Sequence, residues 1–232
     1  HLLSCDPLFY WLSGDMASTR IKICGITTKE DARAAISCGA DAIGLVFYAN
    51  SPRSVSIDQA AQIAAIVPPF VTVVGLFVDE PAARIERILT SVVIDLIQFH
   101  GDETPQFCQQ FGHPWIKALR VRPGLDISGA CHQYDGARGV LLDSWQDGMP
   151  GGSGKTFDWQ LALGELSLPV VLAGGLHDGN VGNAIATLHP AAVDVSGGVE
   201  RSPGVKDVYK IRQFIAAVRA ADHQSDGLKN GD

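Results

Sequence analysis

The sequence predicts an α/β chain folded as one closed barrel of eight parallel strands, each followed by a helix. Three observations carry that expectation. Short apolar runs recur eight times between residues 20 and 196. They are near-continuous rather than alternating, as expected of strands covered on both faces. Each run leads into helix-start residues or a helical period instead of a two-residue hairpin turn. The first run also lacks the G-x-G-x-x-G turn that an open dinucleotide-binding sheet would carry. Right-handed crossovers and a count of eight then favour closure into a ring.

The elements follow in order. Residues 20–24 form the first strand, and Thr27-Thr28-Lys29-Glu30-Asp31 supplies capping and acidic first-turn chemistry for a helix to Ser37. Cys38-Gly39-Ala40-Asp41 stops it. Residues 42–47 form the second strand, and Ser56-Ile57-Asp58 opens a helix that ends before Pro68-Pro69. Residues 71–78 are the third strand, with Pro81 starting a helix to about Thr90. Strand 94–99 and helix 103–111 come next, then strand 115–121 and a weaker helix over 125–133. Residues 139–143 are the sixth strand, with a helix expected within 157–164. The seventh strand is 169–173, followed by a helix over 179–188. Strand 192–196 is the eighth, and a long helix over 205–221 closes the chain.

A net charge of -7 and a pI near 5.4 argue against nucleic acid or an anionic membrane surface as partner. No apolar run reaches the length needed to cross a bilayer. The five cysteines (Cys5, Cys24, Cys38, Cys108, Cys131) are odd in number, widely spaced and without C-x-x-C, which points to a reducing, cytoplasmic compartment. His113, His132, His177 and His189 have no metal-ligand spacing. Residues 1–15 lack a basic leader region and are expected to be a non-native or disordered extension. Residues 16–221 are expected to form a single domain, and residues 222–232 a polar tail.

In such a barrel, chemistry belongs at the C-terminal strand ends. Those ends carry Cys24, His100, Asp143 and the pairs Gly174-Gly175 and Gly197-Gly198. The glycine pairs follow the seventh and eighth strands, where this fold often seats a phosphate. A third glycine-rich loop, Gly151-Gly152-Ser153-Gly154-Lys155, adds a cation after Asp143. It is not a Walker A loop, because Met149 stands where that motif needs glycine. The three loops together predict a phosphate site.

The chain resembles the phosphoribosylanthranilate isomerases, a family of TIM barrels. The resemblance rests on Lys22-Ile-Cys-Gly-Ile-Thr27, Gly44-Leu-Val-Phe-Tyr48, Ser51-Pro-Arg53, Gln98-Phe-His-Gly-Asp-Glu103 and Leu141-Leu-Asp143. It extends through Gly151 to Trp159, Ala173-Gly-Gly-Leu176 and Val193-Asp-Val-Ser-Gly-Gly-Val-Glu200. These segments run in order across nearly the whole chain apart from its tails. Phe99 and Asp79 depart from the usual Leu and Asn without removing a reactive group. No second, indole-forming barrel is present, so the likeness is to the monofunctional form.

The resemblance implies an aldose–ketose isomerase carrying out an Amadori rearrangement of N-(5′-phosphoribosyl)anthranilate, with no metal and no redox cofactor. It implies Cys24 as general base, Asp143 as general acid and Arg53 as partner of the anthranilate carboxylate. Gln98 and His100 are expected in the substrate pocket, and Gly154, Lys155, Gly174, Gly175, Ser196, Gly197 and Gly198 around the phosphate. The only partner implied is a small phosphosugar, bound by a monomer or homodimer. The chemistry is consistent with these roles: a carboxylic acid in a dry pocket can protonate a furanose oxygen. A cysteine acts as base only where its thiolate is stabilised. Taken alone, Cys24 would be a buried structural thiol and Asp143 as readily a turn cap as an acid, whereas Arg53 suits guanidinium–carboxylate pairing better than the part of a solvated loop cation. A metal-dependent pentose-phosphate epimerase would want clustered His and Asp. The dual-substrate sugar isomerases carry aspartate where Cys24 stands. A non-catalytic phosphate-binding barrel has no need of Cys24 with Asp143 and Arg53. The loop carrying Arg53, residues 48–54, is the best candidate to close over substrate.

Strand parity adds one expectation. Lys22 and Cys24 share a face, as do Asp194 and Ser196. If Cys24 faces the interior, Lys22 lies inside too and needs a counter-charge. Closure makes the first and eighth strands neighbours, so Lys22 should pair with Asp194.

Overall fold

A computed structural model describes residues 18–122, 124–144, 159, 164 and 166–229. Eight strands close into a parallel ring in sequence order: β1 (Arg20–Cys24), β2 (Ala42–Val46), β3 (Thr72–Phe77), β4 (Leu96–Phe99), β5 (Trp115–Val121), β6 (Val140–Ser144), β7 (Val170–Leu172) and β8 (Ala192–Val195). The ring shuts where β1 pairs with β8, in a register that sets Lys22 beside Asp194. Around it lie α1 (Lys29–Cys38), α2 (Ile57–Ala64), α3 (Ala82–Ser91), α4 (Pro105–Gln109), α5 (Ile127–Gln133), α6 (Val181–Leu188) and α7 (Val208–Lys229).

The helix starts show why the chain turns where it does. Thr28 accepts from the Asp31 N–H, and Ser56 and Gln59 form a reciprocal capping box. Thr104 and Asp126 cap α4 and α5 in the same way. Each cap satisfies an N–H left over at a helix start, a contribution of about 1 kcal/mol.

Side chains alternate across the wall as the parity argument requires. Ile21 and Ile23 are fully buried in the layer between strands and helices, whereas Cys24 packs inside the ring with Val46 and Leu76. A second apolar group, Ile116, Ala118, Leu141 and Ala173, packs on the other side, and Ala173 reaches the mouth of the ring.

Two differences from the sequence expectation stand out. Strand β4 begins at Leu96, two residues later than expected, because Asp95 turns its carboxylate back onto the Val73 N–H at 2.8 Å. The closing helix does not begin at Val205. After a short 3-10 turn (Gly197–Val199), β9 (Glu200–Ser202) and β10 (Val205–Lys206) form a hairpin, and α7 starts only at Val208. Gly204, at φ +80°, makes the turn, and a Cβ there would lie 2.5 Å from the Pro52 carbonyl. The start of α7 is set by Asp207, whose carboxylate accepts from the Tyr209 and Lys210 N–H groups. The helix runs past Ala221. Its Asp222 accepts from the Thr19 hydroxyl at 2.6 Å and from the Thr19 N–H at 3.1 Å, tying the end of the barrel to its beginning. Apart from Trp159 and Gly164, the segment 157–164 in which a helix was expected lies outside the described residues.

Candidate active site

At the C-terminal mouth of the ring is a cavity of about 270 Å³. Cys24 from β1, Arg53 from the β2–α2 connection, Gln98 and His100 from β4, and Asp143 from β6 all line it. Gly174, Gly175, Ser196, Gly197 and Gly198 line it on the β7–β8 side. Ten of the expected site residues thus meet at one place; Gly154 and Lys155 lie outside the described residues.

The β1–β8 seam carries the base candidate. Cys24 is 6% exposed. Burial pushes its thiol up, against the pull of the Lys22 ammonium, and the Asp194 carboxylate pushes the same way as burial. Lys22 donates to Asp194 Oδ2 at 2.9 Å, and both side chains are buried. This is the pairing expected from parity and closure. Burial alone would favour a neutral Lys22 amine, but Asp194 and Cys24 overcome it and its pKa is raised. Gly44 on β2 makes room for the group: a Cβ there would sit 2.8 Å from Cys24 Sγ and 3.2 Å from Lys22 Cε.

Across the cavity, three side chains form a relay. Gln98 Nε2 lies 2.9 Å from His100 Nδ1, and His100 Nε2 lies 3.0 Å from Asp143 Oδ2. With the Gln98 amide donating to Nδ1, the imidazole carries its proton on Nε2 and donates it to Asp143. The other carboxylate oxygen accepts from the Ser144 N–H at 2.8 Å. His100 is itself held from below. Buried Lys117 donates to Glu103 Oε2 and to the Gly101 carbonyl, both at 2.7 Å, while Glu103 accepts from the Gly101 and Asp79 N–H groups. Arg120 donates to the His100 carbonyl at 3.0 Å. The turn after β4 is therefore braced by a paired charge that the sequence reading did not pick out.

Arg53 crosses to the β9–β10 hairpin. Its Nε and Nη2 each donate to Glu200 at 2.8 Å, a bidentate pair. Lys206, also buried, donates to the same carboxylate at 2.8 Å. Burial would raise the Glu200 pKa, but the two cations outweigh it and hold the group below the usual range as a carboxylate. Lys206 is pushed down, by burial first and by neighbouring Arg53, against the pull of Glu200. Gly25, at φ +76°, passes directly under Arg53, where a Cβ would lie 2.5 Å from Arg53 Cδ. Sequence reasoning gave Glu200 and Lys206 no role. The one signal for them was two charged residues flanking a Pro-Gly turn after the eighth strand.

The glycine pairs are shaped by contact. Gly174 and Gly175 take φ values of +83° and +65°, and a Cβ on Gly174 would lie 2.5 Å from the Ser144 N. A Cβ on Gly198 would strike the Leu176 carbonyl, so the loops after β7 and β8 touch. His177, to which the sequence reading assigned nothing, stands half-exposed at the rim.

The chain matches the family described as N-(5'phosphoribosyl)anthranilate (PRA) isomerase over residues 21–217, all eight strands apart from the first residue of β1. It belongs to the phosphoribosylanthranilate isomerase family. A relative named N-(5'-phosphoribosyl)anthranilate isomerase, from Pseudomonas putida strain W619, is 58% identical over 206 residues, covering 89% of this chain and all of the relative. The phosphoribosylanthranilate isomerase of Thermotoga maritima superposes with a TM-score of 0.80 at 40% identity, over 87% of this chain and 99% of that one. A family structure in complex with reduced 1-(o-carboxyphenylamino)-1-deoxyribulose 5-phosphate superposes with a TM-score of 0.76 at 38% identity, with the same two coverages. Among the described residues no helix is long and apolar enough to cross a membrane.

Proposed function

We propose that this member of the family catalyses the Amadori rearrangement of N-(5′-phosphoribosyl)anthranilate to 1-(2-carboxyphenylamino)-1-deoxyribulose 5-phosphate. The observation that carries the reading is a thiol and a carboxyl group, Cys24 and Asp143, facing one cavity, with Arg53 and the glycine pairs around it.

Asp143, as the acid, gives its proton to the furanose ring oxygen. The C1′–O bond breaks with its electron pair going to oxygen, while the anilino nitrogen lone pair forms an iminium at C1′. That cation acidifies the C2′ proton. The Cys24 thiolate takes it, the C–H electron pair becomes the C1′–C2′ double bond, and the iminium π pair returns to nitrogen. The resulting enolamine tautomerises to the ketone. Proton transfer by placed groups contributes about 10²–10⁴ in rate. His100 keeps the Asp143 carboxyl aimed, and the iminium supplies a transient positive charge toward which the thiolate can form.

Arg53 has Nη1 and one Nη2 hydrogen uncommitted among the described residues, an edge that fits a carboxylate in a planar, two-bond mode. The N–H groups of the β7 and β8 loops suit the 5′-phosphate, with Gly154 and Lys155 expected to complete that cradle. A monomer or homodimer in a cytoplasmic, reducing compartment fits the four described cysteines, all of which are free thiols.

The test is loss of phosphoribosylanthranilate fluorescence with wild type, Cys24→Ala and Asp143→Ala. Turnover by wild type, with each variant slower by about two or more orders of magnitude, supports the pair. Wild type that binds the reduced product analogue without turning over substrate overturns the activity while leaving the phosphate site.

A further inference from the structure

The seam between β1 and β8 holds more than a structural ion pair. Lys22 is shared: it donates to Asp194 Oδ2 at 2.9 Å, and its charge also acts on the Cys24 thiol, whose sulfur borders the same Gly44 surface as Lys22 Cε. Asp194 itself lines the cavity, and its Oδ1, though buried, has no hydrogen-bond partner among the described residues. The three groups are buried together, and the absent side chain of Gly44 leaves room for the sulfur and the Lys22 chain side by side. Other groups facing the sulfur are few. Lys206 acts on it from β10, Ser196 stands beside it on the β8 side, and the partly buried Tyr48 packs above it. Strands β2 and β3 present Val46 and Leu76, which carry no charge. Arg53, His100 and Asp143 line the same cavity.

We propose that Lys22 is a positioning residue for the reaction: its ammonium, held by Asp194, is the counter-charge that lets the Cys24 sulfur take up and release the C2′ proton. The proposal rests on Cys24 being the base. Asp194 sets how much of the Lys22 charge reaches the sulfur, so the two residues act on the thiolate in opposite directions. A pair with no bearing on the sulfur would lower stability when either partner is removed, because the other is left buried and uncompensated, and would leave the sulfur's titration where it was.

The opposition of sign is the test, and it needs no substrate. Iodoacetamide reacts with thiolate, not thiol, so the pH profile of Cys24 alkylation reports the sulfur directly. The peptide carrying Cys24 is followed by mass, with the other cysteines as internal controls. In Lys22→Gln the midpoint moves alkaline by about one pH unit or more, a roughly tenfold slower reaction at fixed pH; in Asp194→Asn it moves acid by a similar amount. Should Lys22→Gln fail to fold, the double variant Lys22→Gln/Asp194→Asn removes both charges together, and its midpoint lies about one unit or more above that of Asp194→Asn alone. Midpoints that do not move, that move together in the single variants, or that coincide in the last comparison, overturn the proposal. Turnover by Cys24→Ala would instead overturn the base assignment, and this proposal with it. Loss of turnover there with unmoved alkylation overturns this proposal alone.

Discussion

Arg53 and Glu200 lie 147 residues apart in sequence and meet edge to edge, Nε and Nη2 each 2.8 Å from one carboxylate oxygen. The contact fixes the plane of the guanidinium and leaves its outer edge toward the cavity. Replacing Glu200 by Gln removes the charge that holds Arg53 and leaves Lys206 buried beside another cation. Breaking one side of a buried pair costs about 3–5 kcal/mol. Glu200→Gln therefore lowers the urea midpoint, and KM for phosphoribosylanthranilate rises by about tenfold or more while kcat changes less. Steady-state kinetics on the folded variant separate the two effects. An unchanged KM would remove Arg53 from carboxylate recognition.

Gly44→Ala tests the space beside the thiol. The new methyl lies 2.8 Å from Sγ, closer than any stable contact, so the sulfur or the Lys22 chain has to shift. A displacement of this order costs about a hundredfold in rate. The circular dichroism spectrum stays that of the parent, and kcat/KM carries the loss.

His100→Asn keeps a hydrogen-bonding group beside Asp143 but shortens it. Asp143 then loses the Nε2–H that aims it at 3.0 Å, and kcat falls by about tenfold to a hundredfold, less than in Asp143→Ala. Gln98→Leu, one step further back, gives a smaller loss in the same parameter. Equal losses in all three variants would mean that the relay acts as one unit rather than through Asp143.

Stability responds to pH at both ends of the scale. The Glu200 pKa is lowered in the folded state, so its contribution is present above the unfolded value and is lost as pH falls through the folded one. The Lys22 pKa is raised, so its contribution is complete below the unfolded value and disappears as pH rises through the folded one. Urea midpoints across the pH range show an acid decline that Glu200→Gln flattens and an alkaline decline that Lys22→Gln flattens.

The ring was legible in the sequence because parallel strands covered on both faces read as apolar runs, and eight such runs with helices between them leave few arrangements. The Lys22–Asp194 pair was legible for a related reason: parity and closure are geometry, and an interior lysine needs a partner wherever the loops go. The hairpin Glu200–Lys206 was not. Val205, Val208 and Ile211 fit a helical period, and nothing in that period shows that Lys206 turns inward to a carboxylate. The Lys117–Glu103 brace was missed similarly, since a lysine within an apolar run looks the same whether it snorkels out or pairs inside. Residue type and spacing picked out side chains that line the cavity; the charges that steady them depend on contacts between distant segments.

The β1–β8 seam also bears on how the protein is made. Cys24 leaves the ribosome 170 residues before Asp194, and the Glu200–Lys206 hairpin follows later still. Loop closure over such a span is slow, and unpaired strand edges are exposed until it happens. Through most of synthesis β1 has no partner on that side, and its thiol stands in whatever surroundings the partial chain offers. The β4–β6 side, with His100 and Asp143, comes together well before the β1–β8 seam. The surroundings that burial and the Lys22–Asp194 pair give Cys24 are therefore complete only once β8 and the hairpin have emerged.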